Sequence, residues 1–437
     1  MEKIYDVFGI GFGPSNISLA ILLEERGDMS FYFTEAASDS TWQKEMMLDK
    51  SDIQNNPHRD LITLYDPRNK YTFLNYLHEN NKIECYLNLG TKFPFRKEYS
   101  KYINWVSEHF NDNVDYNTSI TSVDLDESSN IYIIKSNLGK IYKARSLVLG
   151  TGRSAFIPGV FKEVSQDKCF HLTKYLSQIN KIPKYKNNKK MSFTVVGASQ
   201  SAVEIILDLS NRFPNAQIHN LIRSFSIKLK DTSPFSYEIF KSENTDFFYD
   251  LDVLSKENIR AELRRTNYSS VDEDVLKELY LKIYEQKLDN NQKIFIHNNS
   301  QILAAKEIDS TVSINVKNKY SNNEKKIDSD FVVLATGFRD IGGNANQDPY
   351  PKVLENIIDH FQFNERGYAH INRDYSLAPK IKGKCLPPLF LSGVCETSHG
   401  LGDSGSFSLI PKRCERILNS LEEIIIRKYK RKQRLAV

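Results

Sequence analysis

Two glycine-rich stretches carry the chemistry that can be read first. Gly9-Ile10-Gly11-Phe12-Gly13-Pro14-Ser15-Asn16 stands between an apolar strand pattern at residues 4–10 and a helical pattern at 15–25, with another strand pattern at 31–33. A strand, a glycine turn and a helix N-terminus make a cradle for a pyrophosphate. Gly9 permits the tight turn, Gly11 lets backbone approach the phosphate, and the helix dipole faces the anion. Pro14 takes the place of the third glycine of the strict pattern, and proline is compatible with a first helical turn. Glu35 comes 24 residues after Gly11. There a carboxylate accepts both ribose hydroxyls and repels a 2′-phosphate, so this site suits FAD or NAD rather than NADP.

The second stretch is Gly197-Ala198-Ser199-Gln200-Ser201-Ala202, between strand pattern 192–196 and helix pattern 201–212. Gly197 makes the turn, and small residues at Ser199, Ser201 and Ala202 permit close approach of backbone to phosphate. The following strand, 217–222, ends in Arg223 rather than an acid. A guanidinium there holds a 2′-phosphate, which favours NADPH over NADH; Lys228 and Lys230 are possible helpers or plain loop charges. Two apolar strands ending in Gly150-Thr151-Gly152 and Thr336-Gly337 complete the picture of two dinucleotide folds.

The whole chain must position these sites. It has 437 residues, enough for two to four domains. Lys plus Arg number 59 and Asp plus Glu 55, a formal charge of +4 that argues against a nucleic-acid partner. No signal-peptide pattern opens the sequence and no apolar run reaches a bilayer-spanning length, so a cytoplasmic protein without stable membrane insertion is expected. The five cysteines form no CxxC pair, which removes zinc-ribbon and dithiol chemistry and leaves no metal site to name. Residues 181–190 read as a linker, and the basic run 427–434 as a solvated helix end.

Beyond the glycine motifs, several longer stretches are distinctive: 61–68 (Leu-Ile-Thr-Leu-Tyr-Asp-Pro-Arg), 71–77, 96–99 with Trp105, Ser233-Pro234-Phe235, Thr266-Asn267-Tyr268 and His399-Gly400-Leu401-Gly402-Asp403. With these the chain resembles the ornithine and lysine N-monooxygenase family, the flavin-dependent N-hydroxylating enzymes of siderophore biosynthesis, over nearly its whole length. The resemblance implies an α/β protein with two Rossmann-like domains, for FAD and NADPH, and a small helical substrate-binding insertion. The expected boundaries are 1–185 plus 370–437 for FAD, 190–225 plus 300–345 for NADPH, and 226–299 for the insertion.

The resemblance also implies that NADPH reduces FAD and O2 adds to the flavin. The resulting hydroperoxide is attacked by a neutral primary amine. It sets Trp42 and Gln54 beside the isoalloxazine and Arg96 near the nicotinamide, with an Arg96–Glu98 surface pair as the alternative. Asn267, followed by Tyr268, meets both nicotinamide and amine. The turn with His399, Gly400, Leu401 and Asp403 contacts the flavin. Gln54, Asn267 and Arg96 are thus the expected catalytic residues. A homo-oligomer, with a tetramer possible, is implied by resemblance alone.

The departures concern substrate. Where ornithine users in the family carry a lysine for the α-carboxylate, this sequence has Arg59; where they carry an asparagine, it has Tyr237. Gly405 and Phe407 replace leucine and serine, and Gln43-Lys44-Glu45 replaces His-Pro-Gly. With two aromatics at the tail of the pocket, the expected substrate lacks an α-carboxylate. Histamine, stacking on Tyr237 or Phe407, comes first, then putrescine or cadaverine. L-ornithine or L-lysine is the alternative. Another two-nucleotide flavoprotein monooxygenase is the competing class.

Overall fold

The computed structural model describes residues 3–182 and 191–435, with side chains as far as residue 423. Nearly all of the 181–190 stretch, and the side chains of the run 427–434, therefore lie outside the described residues.

Two five-stranded parallel sheets organise the chain. The first has the spatial order Leu389–Leu391, Leu147–Leu149, Val7–Ile10, Phe31–Thr34, Val114–Asp115. The second runs Cys169–His171, Phe331–Leu334, Ser192–Val196, Gln217–Leu221, Ile294–His297. Strands covered on both faces are apolar along their length rather than alternating, and Leu147, Val148 and Leu149 are completely buried. In each sheet a 13-residue helix, Pro14–Arg26 or Gln200–Arg212, follows the glycine turn. Pro14 occupies the first turn and Gly27, at φ +72°, closes the Pro14–Arg26 helix.

Strand membership departs from the expected boundaries at two places. Cys169–His171, expected with the FAD-binding segment 1–185, pairs with Phe331–Leu334 in the second sheet. Ile294–His297, expected in the 226–299 insertion, is that sheet's edge strand beside Gln217–Leu221. The helix Glu273–Leu288 is likewise a crossover of the second sheet, burying Leu279 with Val275, Leu276 and Ile283 against its core. Its many charged residues made it look like part of an insertion. What remains of the insertion is the 3-10 turns Ser236–Phe240 and Leu263–Thr266 and the helices Ser242–Asp250 and Val253–Glu262.

That insertion docks on the C-terminal segment, residues 371–416, which follows the second sheet and returns to the first. Arg373 and Arg416 both bind Asp246, Tyr249 donates to the Ile371 carbonyl at 3.0 Å, and Phe248 is buried against Gly400. A two-stranded ladder, Ser154–Ala155 with Phe338–Arg339, carries the chain between the halves just after the Gly150 and Gly337 turns. Both glycine loops therefore sit at the carboxyl ends of parallel strands, where open α/β sheets bind ligands.

The glycines earn their place for reasons the motif only partly gives. Gly9 lies within a strand and makes no tight turn. A Cβ there would stand 2.1 Å from the Phe33 ring, so it is the packing of Phe33 that requires glycine. Gly11 has φ +84° and is pressed against the Gly150 carbonyl, which a Cβ there would meet at 2.6 Å. Gly13 is the glycine with open space around it, at the helix N-cap, and there a phosphate can reach backbone.

Candidate functional site

At the first glycine loop, the Pro14–Arg26 helix begins without any side-chain cap, leaving its first N–H groups free for an anion. Glu35 stands at the tip of the neighbouring strand, its Oε2 accepting from Phe12 N–H at 2.8 Å and its Oε1 from Ala37 N–H at 2.9 Å. These contacts lock the carboxylate against the loop while leaving lone pairs for ribose hydroxyls. A bare helix end, an open Gly13 and a strand-tip acid fit the adenosine diphosphate part of FAD. Ser15 does more than line the loop, since its hydroxyl accepts from Arg413 Nη2 at 2.8 Å.

At the second loop, Gly197 has φ +145° and a Cβ there would lie 2.4 Å from the Ala335 carbonyl. Ser199 is the N-cap of Gln200–Arg212 and makes no capping bond, and Ser201 sits half-buried in the first turn. Arg223 is exposed, and Arg260 and Arg264 of the insertion add positive charge on its side. None of the three takes part in a salt bridge among the described residues, so the cluster fits a 2′-phosphate. Arg260 and Arg264 had no motif to reveal them. Lys230 turns elsewhere, to Asp272 at 3.7 Å. The Thr336 hydroxyl bonds the Phe156 carbonyl, and the Gly337 carbonyl meets His171 Nε2, so this turn holds the interdomain ladder.

Between the loops a closed ring of polar contacts joins the two halves. Asp52 Oδ1 accepts Gln54 N–H at 2.8 Å, and Gln54 Nε2 donates to Asp272 Oδ2 at 2.6 Å. Asp272 N–H donates to Gln200 Oε1, and Gln200 Nε2 donates to Glu204 Oε1. Glu204 takes both Nη atoms of Arg96 at 3.0 Å, and Arg96 Nη2 returns to the Asp52 carbonyl at 3.1 Å. This corrects one assignment. Arg96 is a buried interdomain tie and makes no pair with Glu98, which binds Lys82 and Tyr76 instead. Gln200 commits both ends of its side-chain amide to the ring.

Asp52 is the ring's titratable weak point. Burial, then the nearby carboxylates of Asp272, Glu204 and Asp274, push it up to about 6. The folded state thus binds its proton more tightly than the unfolded chain does. The resulting cost is fully present above about pH 6 and is relieved as pH falls toward 4. Asp52→Asn, which keeps an acceptor for Gln54 N–H, is expected to raise the melting temperature at pH 8, by at most about 3 kcal/mol of stability. The gain shrinks to nothing near pH 4. Melting curves at the two pH values check it, and an equal gain at both would contradict it.

The substrate end gathers two groups of side chains. In one, the Arg59 guanidinium lies over the Tyr237 ring, 5.9 Å from its centre, while Tyr99 OH pins the Arg59 carbonyl at 3.0 Å. Arg59 carries no salt bridge among the described residues. In the other, a Cβ on Gly405 would lie 2.8 Å from both Asn267 Nδ2 and Tyr268 OH. Asn267 Nδ2 is a buried donor without a protein partner. Tyr268 OH accepts from Arg153 Nη1 at 3.0 Å and donates to Glu396. Asp340 completes this buried cluster, accepting from Glu396 N–H; burial and then Glu396 push its carboxyl well above the usual range. Sequence reasoning passed over Arg153, Asp340 and Glu396, which lie outside the recognisable motifs.

Several expected contacts are taken up by packing. Phe407 is buried edge-on to Trp42 at 5.0 Å and Tyr99 at 5.1 Å, so its ring offers no face to a substrate; it backs Trp42 instead. His399 stacks on Tyr375 at 3.9 Å and spends both ring nitrogens on Ser398 and the Arg373 carbonyl, while burial pulls it down to about 4. The Asp403 carboxylate is held by Arg413 and by Cys395 N–H, and Leu401 is buried. The backbone at Gly400 and Gly402, with φ near +99° and +92°, shapes this turn over Phe248 and Phe240.

Comparison with known proteins agrees with this geometry. The family model described as L-lysine 6-monooxygenase/L-ornithine 5-monooxygenase matches residues 3–340. The L-ornithine N(5)-monooxygenase of Burkholderia cepacia is 30% identical, covering 91% of this chain and 90% of its own. Among solved structures, the Kutzneria sp. 744 ornithine N-hydroxylase with reduced FAD, NADP+ and L-ornithine superposes with TM-score 0.88 at 25% identity, covering 96% of this chain and 99% of its own. The cadaverine monooxygenase of Erwinia amylovora, bound to FAD, gives TM-score 0.83 at 25% identity over 96% and 95%.

Proposed function

The chain belongs to the L-lysine 6-monooxygenase/L-ornithine 5-monooxygenase family, and from that premise we propose that its substrate is an amino acid bearing a side-chain amine, L-ornithine or L-lysine. It is an NADPH-dependent flavoprotein N-monooxygenase, and N-hydroxylation for siderophore biosynthesis is its role. Bound FAD supplies the redox chemistry, passing electrons from NADPH to O2. The protein's own part is to bind, orient and exclude water.

The observation that carries the substrate reading is the unpaired Arg59 guanidinium over Tyr237. A planar cation matches a carboxylate in bidentate fashion, and it repels the second ammonium of a diamine. Tyr237 then holds Arg59 in place rather than stacking on an aromatic amine, and buried Phe407 offers no second platform. This inverts the expectation of a decarboxylated substrate. At the reacting end, the unpartnered Asn267 Nδ2 is a donor, which suits an amine lone pair and disfavours an ammonium. A substrate amine there is pushed toward its neutral, nucleophilic form. Trp42, backed by Phe407, and Gln54 stand on the isoalloxazine side in this reading.

Amine-dependent NADPH oxidation with hydroxylamine detection, across ornithine, lysine, histamine, putrescine and cadaverine, tests the proposal. Ornithine or lysine is expected to lead. Arg59→Ala is expected to raise their KM about 10–100-fold, the worth of a hydrogen-bonded charge pair, with a smaller change in kcat. A preference for histamine or a diamine, or an unchanged KM in Arg59→Ala, would reject it.

A further inference from the structure

We infer that Asp272 sets which end of the Gln54 amide faces the flavin, making Gln54 a hydrogen-bond acceptor there. The inference rests on the reading above that sets Gln54 beside the isoalloxazine. An amide has a donor end and an acceptor end, and a carboxylate only accepts. Gln54 Nε2 is 2.6 Å from Asp272 Oδ2, so the nitrogen end belongs to Asp272. The oxygen end accepts no hydrogen bond among the described residues.

The rest of the ring keeps this orientation from reversing. Asp272 has its negative charge balanced by Lys230, 3.7 Å from Oδ1, with side chains only 13% and 9% exposed. Its backbone N–H fixes Gln200 with Oε1 toward Asp272, and the other end of Gln200 must then donate to Glu204. Glu204 is committed to Arg96 through both oxygens, and Arg96 closes on the Asp52 carbonyl. Gln54 itself is held at φ +55°, a conformation that side chains rarely adopt, by its N–H bond to Asp52 Oδ1. Apart from the Gln54 oxygen, each amide end in the ring meets a partner of opposite polarity. Turning the Gln54 amide over would set its oxygen against a carboxylate.

The consequence is a bias on the flavin's redox state. An acceptor gains a bond when a flavin ring nitrogen takes up hydrogen on reduction, and a donor loses one. Asp272 is therefore a positioning residue that favours reduced flavin, acting through Gln54 and touching no reactant itself. It lies 218 residues from Gln54 in the chain, on the NADPH-binding half.

The test measures the midpoint potential of enzyme-bound FAD, together with hydroxylamine formed per NADPH spent. Gln54→Ala and Asp272→Ala are both expected to move the potential to more negative values, with a loss of coupling of about tenfold, the worth of one hydrogen bond to a charged group. Gln54→Glu alone opposes two carboxylates and is expected to behave as badly. Combined with Asp272→Asn, the new amide at position 272 donates to the new carboxylate at position 54, an acceptor again faces the flavin, and the potential recovers. A wild-type potential in Asp272→Ala beside a shifted one in Gln54→Ala overturns the inference. So does failure of the double variant to recover, or a lowered melting temperature with an unmoved potential. Unmoved potentials in both alanine variants overturn instead the placement of Gln54 beside the flavin.

Discussion

Replacing Arg413 by methionine is expected to give a protein that melts early and purifies without FAD. Arg413 is on the C-terminal helix, with its side chain 1% exposed, and its partner Asp403 is 0% exposed. Nη1 binds Asp403 Oδ1 at 2.9 Å and also the Asp403 carbonyl, Nη2 reaches Ser15 Oγ at 2.8 Å, and Nε reaches Ser392 Oγ at 3.2 Å. Asp403 uses its other oxygen to hold Cys395 N–H. Removing the cation leaves a carboxylate buried with nothing to balance it, at a cost of about 3–5 kcal/mol. Because Ser15 opens the helix whose uncapped N-terminus fits the FAD pyrophosphate, the loss is expected to fall on the cofactor as well. Bound flavin stabilises only the folded state, so the two losses reinforce each other. Arg413→Lys, which keeps the charge but not the fork of donors, should fall between. Flavin content by absorbance and thermal melts with added FAD decide the matter. A methionine variant that keeps both flavin and wild-type melting would show that the pair does not support the site.

Arg413 and Asp403 also mark where sequence reading stops. The two nucleotide folds were legible because each is local: a strand, a glycine turn, a helix and the next strand fall within about 30 residues. The strand-tip residues Glu35 and Arg223 were legible for the same reason. The ring was not, since Gln54 and Asp272 come together only when the halves dock. Aromatic residues misled in a different way. A sequence shows that Phe407 is aromatic but not which way its ring faces, and the ring faces Trp42 and Tyr99 in the core. Glycines misled through their reasons, since Gly9 reads as a turn residue and in fact makes room for Phe33. The Glu273–Leu288 helix was missed as a crossover because its buried stripe is narrow, with only Leu279 fully covered. What joins distant segments is set by packing, and packing leaves little trace in a local pattern.

The Arg96–Glu204 pair separates stability from function most sharply. Both side chains are 7% exposed, and the pair ties the helix Arg96–Glu108 of the first half to Gln200–Arg212 of the second. Arg96→Met strands the Glu204 carboxylate in a buried place and is expected to cost about 3–5 kcal/mol. Adding Glu204→Leu removes the stranded charge, and apolar replacement of a buried pair is commonly neutral or better, so stability should return. The ring nevertheless stays broken in the double variant. Gln200 Nε2 has lost its acceptor, and nothing then fixes the Gln200 oxygen against Asp272 N–H. NADPH oxidation with saturating amine is therefore expected to stay at least about tenfold slow, as for loss of one hydrogen bond to a charged group. A double variant that recovers melting but not turnover makes the ring a coupling device between the two nucleotide halves. Recovery of both reduces Arg96 to a structural tie, and an unchanged melting temperature in Arg96→Met would deny the pair even that.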